Sequence, residues 1–412
     1  MSVAASVGAS VLSTPPEDLS PESLAVRADE AWPTFADDEI AAATRVLRSG
    51  KVNQWTGPDV FAFERACEAK FGGGPGIALA NGSLALELVL KAFGIGPGDE
   101  VIVTPRSFVA SAFCVMLVGA TPVFADVEAD SGNISPATVA PLLTERTRAI
   151  IPVHLAGWPA DIEGLMALAA PRGIKVIEDC AQAHGATIGG RSVGDFGDAA
   201  CFSFCQDKII STGGEGGNVS IRDEAAAAWA WSFKDHGKNR AKMAAPATNP
   251  GTFKWVHDMV GTNWRLTGPQ AAIGLAQLAK LDAWTEARTR NAAIWAQTLD
   301  DVPGLSIPMP EARLRHAFYK FYVYLDAPEG DAGRLRAQIL QRAAAEGLRL
   351  FSGSCSEMYR EDAFAGLPRP DCPVARRLGD NALMVEVHPT LRTDLLERRA
   401  ERLAAIIKDV TG

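Results

Sequence analysis

From residue 81 to residue 223 the chain alternates two kinds of segment with little interruption. "EVIVTP", "TPVFADV", "RAIIPVHLAG" and "IKVIEDCAQ" are short apolar runs rich in Val and Ile. "NGSLALELVLKAFGI", "SFVASAFCVMLVGA", "ATVAPLLTERT" and "DIEGLMALAAPRG", which precede or separate them, have helical spacing. Two further runs, "DAACFSF" and "GNVSIRD", close the series as strands. Strands that are apolar on both faces and joined through amphipathic helices predict an α/β fold with a mostly parallel sheet covered by helices. In such sheets functional side chains collect beyond the carboxyl ends of the strands. The search for chemistry therefore starts where each apolar run stops.

The flanks complete the plan. "ADDEIAAATRVLRSGK" and "GPDVFAFERACEAKFGGG" predict two helices ahead of the alternation, the second stopped by glycines. "FKDHGKNRAKMAAPATNPGTFKW" predicts a long loop, and "TGPQAAIGLAQLAKLDAWTEARTRNAAIWAQTLDD" a long helix, whole or interrupted, bridging to a second unit. "HAFYKFYVYL", "AGRLRAQILQRAAAEG" and "DLLERRAERLAAIIKDV" predict a strand and two helices of a smaller C-terminal α+β domain. The expected division is a flexible N-terminal tail at 1–30, a large domain at 31–285 and a small domain at 286–412.

Several function classes are disfavoured. A net charge of −9 over 412 residues argues against a nucleic-acid partner, which requires a basic face. The seven cysteines include no CxxC pair and fall mostly in apolar runs, as reduced core cysteines do. No metal is expected: the six histidines are scattered without ligand spacing, and structural roles are expected for His184 and His236 even where they border a pocket. The first residues lack the basic start and apolar core of a secretory signal, and no run is long enough to span a membrane. A cytoplasmic protein is the expectation.

Four elements carry candidate chemistry. Asp179 ends the run "VIED", where it is either the cap of the next segment or a carboxylate facing a cation such as a protonated pyridine nitrogen. Lys208 follows "CFSFCQD" and precedes "STGGEGGN"; it is either a turn lysine or an amine held in a pocket as nucleophile. Asn81-Gly82-Ser83-Leu84 opens a helix, as an ordinary cap or as a phosphate site. Phe108, in "TPRSFVASA", is a core residue or a platform for a flat ring. Ser203 adds a hydroxyl for a phosphate. Taken singly each element has a plain structural reading; taken in order, one ligand calls for all four.

The stretches "NGSLALELVLKAFGIGPGDEVIVTPRSFVASA", "PVHLAGWPADI", "VIEDCAQAHGA", "FSFCQDKIISTGGEGG" and "GTNWRLTGPQAAIGLAQLAKLD" resemble the pyridoxal 5'-phosphate (PLP)-dependent sugar-aminotransferase family, DegT/StrS. The resemblance covers roughly residues 32 to 410. It implies fold type I, with a mostly parallel seven-stranded sheet and a smaller C-terminal domain. It implies that Lys208 is the Schiff-base lysine, Asp179 the partner of the pyridine nitrogen, and Gln182 the neighbour of the ring hydroxyl. Ser83, Leu84 and Ser203 fall where the family holds the phosphate. Asn263 is similar to an asparagine that reaches the phosphate of a neighbouring subunit, which implies a homodimer with shared sites.

The implied reaction moves an amino group from glutamate or glutamine to a keto-sugar, most simply a nucleotide-linked keto-deoxysugar. Lys234, Lys238, Arg240, Lys242 and Lys254, in or near the long loop, are candidates for its pyrophosphate, with a merely solvated loop as the alternative. Three rivals stand beside this reading: a dehydratase of the same family, a non-catalytic PLP-binding regulator, and an enzyme acting on a cyclitol or sugar phosphate. The dehydratases carry histidine where this chain has Lys208. Cys205 in place of the family's frequent histidine, and one glycine more in "STGGEGG", depart from the common pattern.

Overall fold

Seven short strands form the central sheet of this computed structural model, which describes residues 24, 25, 27–246, 253–328 and 330–412. They are β1 (Gly76–Leu79), β2 (Glu100–Val103), β3 (Thr121–Phe124), β4 (Thr147–Ile151), β5 (Lys175–Asp179), β6 (Ala199–Ser203) and β7 (Gly217–Ile221). Their order across the sheet is β1-β7-β6-β5-β4-β2-β3. Neighbours from β6 through β3 run parallel, whereas β7 is antiparallel to both β6 and β1. Every residue of β2 and β7 is buried, as expected of strands with both faces covered.

The covering helices begin with α1 (Asp37–Ser49), α2 (Asp59–Phe71), α3 (Gly82–Ala92), α4 (Ala110–Leu117), α5 (Ile162–Ala169) and α6 (Glu224–Phe233). "ATVAPLLTERT" yields only a turn of helix at Pro136–Val139 and a 3-10 turn at Ala140–Leu142, because Pro141 cannot donate an amide to an α-helix. The bridging helix is of the interrupted form, α7 (Gly268–Leu278) and α8 (Leu281–Leu299). Among the strands of the central sheet and helices α1 to α8, two escaped the sequence reading: β1, a four-residue run between glycine and the Asn81 cap, and α6.

Beyond α8 lies a second, antiparallel sheet of β8 (Leu305–Ser306), β9 (Phe321–Leu325) and β10 (Ala382–Val385), in that order. It packs with α9 (Ala332–Ala345), α10 (Pro373–Asn381) and α11 (Thr393–Thr411). Buried apolar side chains fall into two clusters. Leu281 belongs to the one around the central sheet, and Ala292, Trp295 and Leu299 to the other. The expected boundary at 285 thus falls inside one continuous helix that serves both cores. Residues 1–23 of the expected tail lie outside the described residues, but its end is docked and not free. Leu24 is buried, and Arg399 of α11 donates to the Leu24 carbonyl at 2.8 Å and to Glu30 at 2.8 Å. No helix among the described residues is long and apolar enough to cross a membrane.

Candidate active site

The polar ends of adjacent strands open into one cleft of about 1220 Å³. Asn81, the N-cap of α3, accepts a hydrogen bond from the Leu84 amide through Oδ1 at 3.0 Å. The amides of Gly82 and Ser83, first in the helix, have no acceptor within it and point their positive end outward. Two close approaches fix this helix end over the sheet. A Cβ on Gly82 would lie 2.6 Å from Ser203 Cβ, and one on Gly217 would lie 2.3 Å from the Asn81 carbonyl oxygen. Ser203, the last residue of β6, therefore sits against the start of α3, and both line the cleft. The free helix amides and the Ser203 hydroxyl together suit an anion, with the Leu84 amide already engaged by its own cap.

Asp179 ends β5 and is buried at the floor of the cleft. Its Oδ2 accepts from Ser111 Oγ of α4 at 2.8 Å, and its Oδ1 from the Ala181 amide at 3.1 Å. Burial pushes its carboxyl above the ordinary value, even though these hydrogen bonds and the charge of Lys208 pull the other way. A carboxylate in that position gains from a cationic partner. Gln182 lines the same floor and anchors itself by accepting from the Ala156 amide at 2.8 Å.

Lys208 lies past the end of β6 on the cleft wall. Its backbone carbonyl accepts from Trp32 Nε1 at 3.0 Å. Its Nζ is 3.8 Å from Asp207 Oδ1 and 4.9 Å from the centre of the Tyr319 ring. Phe108 lines the cleft and is 67% exposed, so its ring face is not consumed by core packing.

Other expectations land elsewhere. Asn263 does not line this cleft; it is bridged to Asp235 outside it. Lys234 is fully buried, donating to Gln54 at 3.1 Å, Glu64 at 2.9 Å and the Ala78 carbonyl at 3.0 Å, which removes it as a phosphate contact. Lys238 pairs with Asp235, Lys242 with Asp258, Lys254 with backbone carbonyls, and Arg240 packs on the Trp231 ring. None of the five lines the cleft. His236 is exposed, and His184 is enclosed by the rings of Phe71, Phe202 and Phe204, where burial pulls it down to about 3. It is a neutral core residue.

Among the described residues, one buried group has the composition of a metal site: His154, Glu178 and Cys180. The ligand atoms of His154 and Glu178 are already engaged. His154 Nδ1 accepts from the Ala160 amide at 3.0 Å, so Nε2 carries the proton and donates to Glu178 at 3.1 Å. Glu178 also accepts from the amides of Gly194, Phe196 and Gly197, and burial holds the Cys180 thiol far above its usual value. The knot ties β5 to the loop before β6 and needs no ion.

Trp32, Ser111, Asp207 and Tyr319 were not singled out from sequence. Ser111 and Asp207 sit within quoted motif stretches, whereas nothing local marks Trp32 or Tyr319. The approach to Tyr319 is strained: Phe318 has φ of 46°, uncommon for a bulky residue. His316 Nδ1 accepts the Phe318 amide at 2.7 Å, and Arg288 donates to the carbonyls of Phe318 and Tyr319, both at 3.3 Å.

The model of the DegT/DnrJ/EryC1/StrS aminotransferase family matches residues 33–404. The chain is 37% identical, over 84% of its length and 87% of the relative's, to the UDP-N-acetyl-3-dehydro-alpha-D-glucosamine 3-aminotransferase of Acidithiobacillus ferrooxidans. It is 36% identical to the GDP-perosamine synthase of Caulobacter vibrioides, over 85% of this chain and 90% of that one. An aminotransferase structure from Psychrobacter cryohalolentis superposes with a TM-score of 0.88 at 44% identity, covering 93% of this chain and 99% of that one. PLP suits the cleft's donors: helix amides for a phosphate, a buried carboxylate pushed up by burial for a ring nitrogen, and an amine for an aldehyde. The chain belongs to the DegT/DnrJ/EryC1/StrS aminotransferase family, PLP-dependent enzymes of fold type I.

Proposed function

We propose that this aminotransferase moves an amino group from glutamate or glutamine to a nucleotide-linked keto-deoxysugar. The observation that carries the reading is that Asp179, Lys208 and the N-terminus of α3 open on one cleft large enough for a second, bulky substrate. The names of the Acidithiobacillus and Caulobacter relatives, both nucleotide-sugar enzymes, support the substrate class.

The amides of Gly82 and Ser83 with the Ser203 hydroxyl hold the phosphate, and Phe108 covers the ring. Asp179 keeps a proton on the ring nitrogen, and Gln182 sits beside the ring hydroxyl. PLP bound there supplies an electron sink for the α-carbon of the amino donor. Lys208 Nζ would take the proton from that α-carbon as base and deliver it, as acid, to the carbon that was the cofactor's aldehyde. On the return half the same amine delivers a proton to the sugar carbon that becomes aminated. Asn263, outside its own cleft, acts in the site of a second copy, so the working unit is a homodimer.

The test is a panel. Enzyme charged with glutamate or glutamine, then freed of donor, is offered keto-sugars with and without a nucleotide, and keto-cyclitols. Recovery of the visible band with a nucleotide-linked keto-sugar alone supports the proposal. Recovery only with unlinked sugars or cyclitols sinks the substrate class, and no response to any donor favours a regulator.

A further inference from the structure

Lys208 must leave its bond to the cofactor, serve as proton carrier and return, so its amine needs a place to stand in between. We propose that Asp207 and Tyr319 form that place: a positioning pair that holds the free Lys208 amine over the reacting carbon. This rests on the reading of Lys208 given above.

Three observations converge on it. The Lys208 amine stands 3.8 Å from Asp207 Oδ1 and 4.9 Å from the Tyr319 ring centre, a charge contact and a cation–π contact at once. The Tyr319 hydroxyl donates to Asp207 Oδ2, which fixes the carboxylate and leaves Oδ1 turned to the lysine. Burial first, and then Asp207, push the Tyr319 phenol up, so it stays protonated as that donor. The pair is built from both parts of the chain: Asp207 precedes the lysine on the loop after β6, and Tyr319 precedes β9.

The scaffold behind the pair is unusual enough to need a reason. Phe318 adopts a left-handed backbone that a bulky residue avoids, held by the His316 ring on one side and the Arg288 guanidinium on the other. Arg288 also packs over the Trp32 ring at 5.0 Å, and Trp32 holds the Lys208 carbonyl. One buried arginine thus braces both the backbone of Lys208 and the tyrosine beneath its amine. Local strain that is over-determined in this way gathers at working sites.

Asp207→Asn and Tyr319→Phe, prepared as holoenzymes, test the pair. Enzyme charged with glutamate leaves Lys208 free, and acetic anhydride followed by peptide mass spectrometry reads its accessibility. Both variants are expected to acetylate Lys208 several-fold faster than wild type, with the other surface lysines unchanged. In turnover, kcat falls about 10- to 100-fold, as for a misplaced catalytic group, while KM for glutamate holds. The deuterium isotope effect from α-deuterated glutamate rises, because proton transfer becomes slower than binding or release. Asp207→Glu, which keeps the carboxylate, is expected to restore most of the rate. Unchanged Lys208 acetylation together with an unchanged isotope effect overturns the proposal. If wild type forms no visible band, or glutamate and glutamine both fail to bleach it, the functional reading fails instead, and the two failures are distinguishable.

Discussion

The Oδ2 of Asp179 accepts a hydrogen bond from Ser111 Oγ at 2.8 Å, tying the end of β5 to α4 beneath the cleft. The bond orients a carboxylate that burial makes reluctant to ionise. A group whose folded pKa is raised holds its proton longer than the unfolded chain does. Between the unfolded value and the raised one, the unfolded chain therefore binds fewer protons, and stability falls as pH rises through that window. The cofactor-free protein carries this cost at neutral pH, and a ring-nitrogen cation relieves it. Asp179→Asn is expected to raise the melting temperature of cofactor-free protein at pH 7 while lowering kcat by about 10²-fold or more. Thermal melts and donor half-reactions on the same preparation check both signs.

Lys208→Ala is expected to leave the fold intact, because the side chain lies on a cleft wall and not in either core. Transfer should fall by about 10²–10⁴-fold or more, the usual reach of a lost general base. The visible band of the holoenzyme should disappear with it. Circular dichroism, absorbance and single-turnover assays read the three outcomes.

Gly82→Ala probes the seat at α3 without touching a titratable group. A methyl would fall 2.6 Å from Ser203 Cβ, so the helix end or β6 must shift. Overpacking of this kind costs about 1–3 kcal/mol. The shift also moves the amides assigned to the phosphate, so the dissociation constant for PLP should rise with it. Equilibrium dialysis of PLP and a urea melt separate affinity from stability.

The sheet was legible because its strands are apolar on both faces and stop at polar residues; Asp179 and Ser203 are such stops. β1 was not, since "GIAL" is too short to show a period and its pairing with β7 is a long-range contact. Asp207 and Tyr319 meet across 112 residues, and nothing near either one encodes the meeting. The division at 285 falls within α8, between Leu281 of one core and Ala292 of the other, because that helix keeps one pattern while changing cores. Charge alone made the long-loop lysines look like ligands for phosphate; only packing reveals that Lys234 is interior.

Acid should unfold the protein early. His184, His316 and His388 are each pulled down to about 3, in every case chiefly by burial. Below their ordinary value of 6.5 the unfolded chain takes up protons that the folded one refuses, so stability is present above that pH and is lost as pH falls toward 3. Each unit of depression is worth about 1.4 kcal/mol. His184→Leu should flatten the fall of melting temperature between pH 6.5 and pH 4 relative to wild type; an unchanged slope would show that His184 is not a buried neutral group.

Lys234 separates a structural cation from a substrate contact. Its ammonium is fully enclosed, with Glu64 at 2.9 Å, Gln54 and the Ala78 carbonyl as acceptors, and Glu64 in turn accepts the Ala78 amide at 2.9 Å. The arrangement fastens α2 to β1 and to the end of α6, behind the sheet edge that carries the start of α3. Lys234→Met removes the charge but leaves Glu64 buried without it, a loss of about 3–5 kcal/mol. Adding Glu64→Gln removes the stranded charge, and the double variant is expected to recover most of that stability, since replacing a whole buried pair is often close to neutral. If Lys234 bound the pyrophosphate, the double variant would fold yet show a raised KM for the nucleotide sugar. The expected result is the reverse: KM unchanged in the double variant, and the single variant impaired only through the fraction that stays folded.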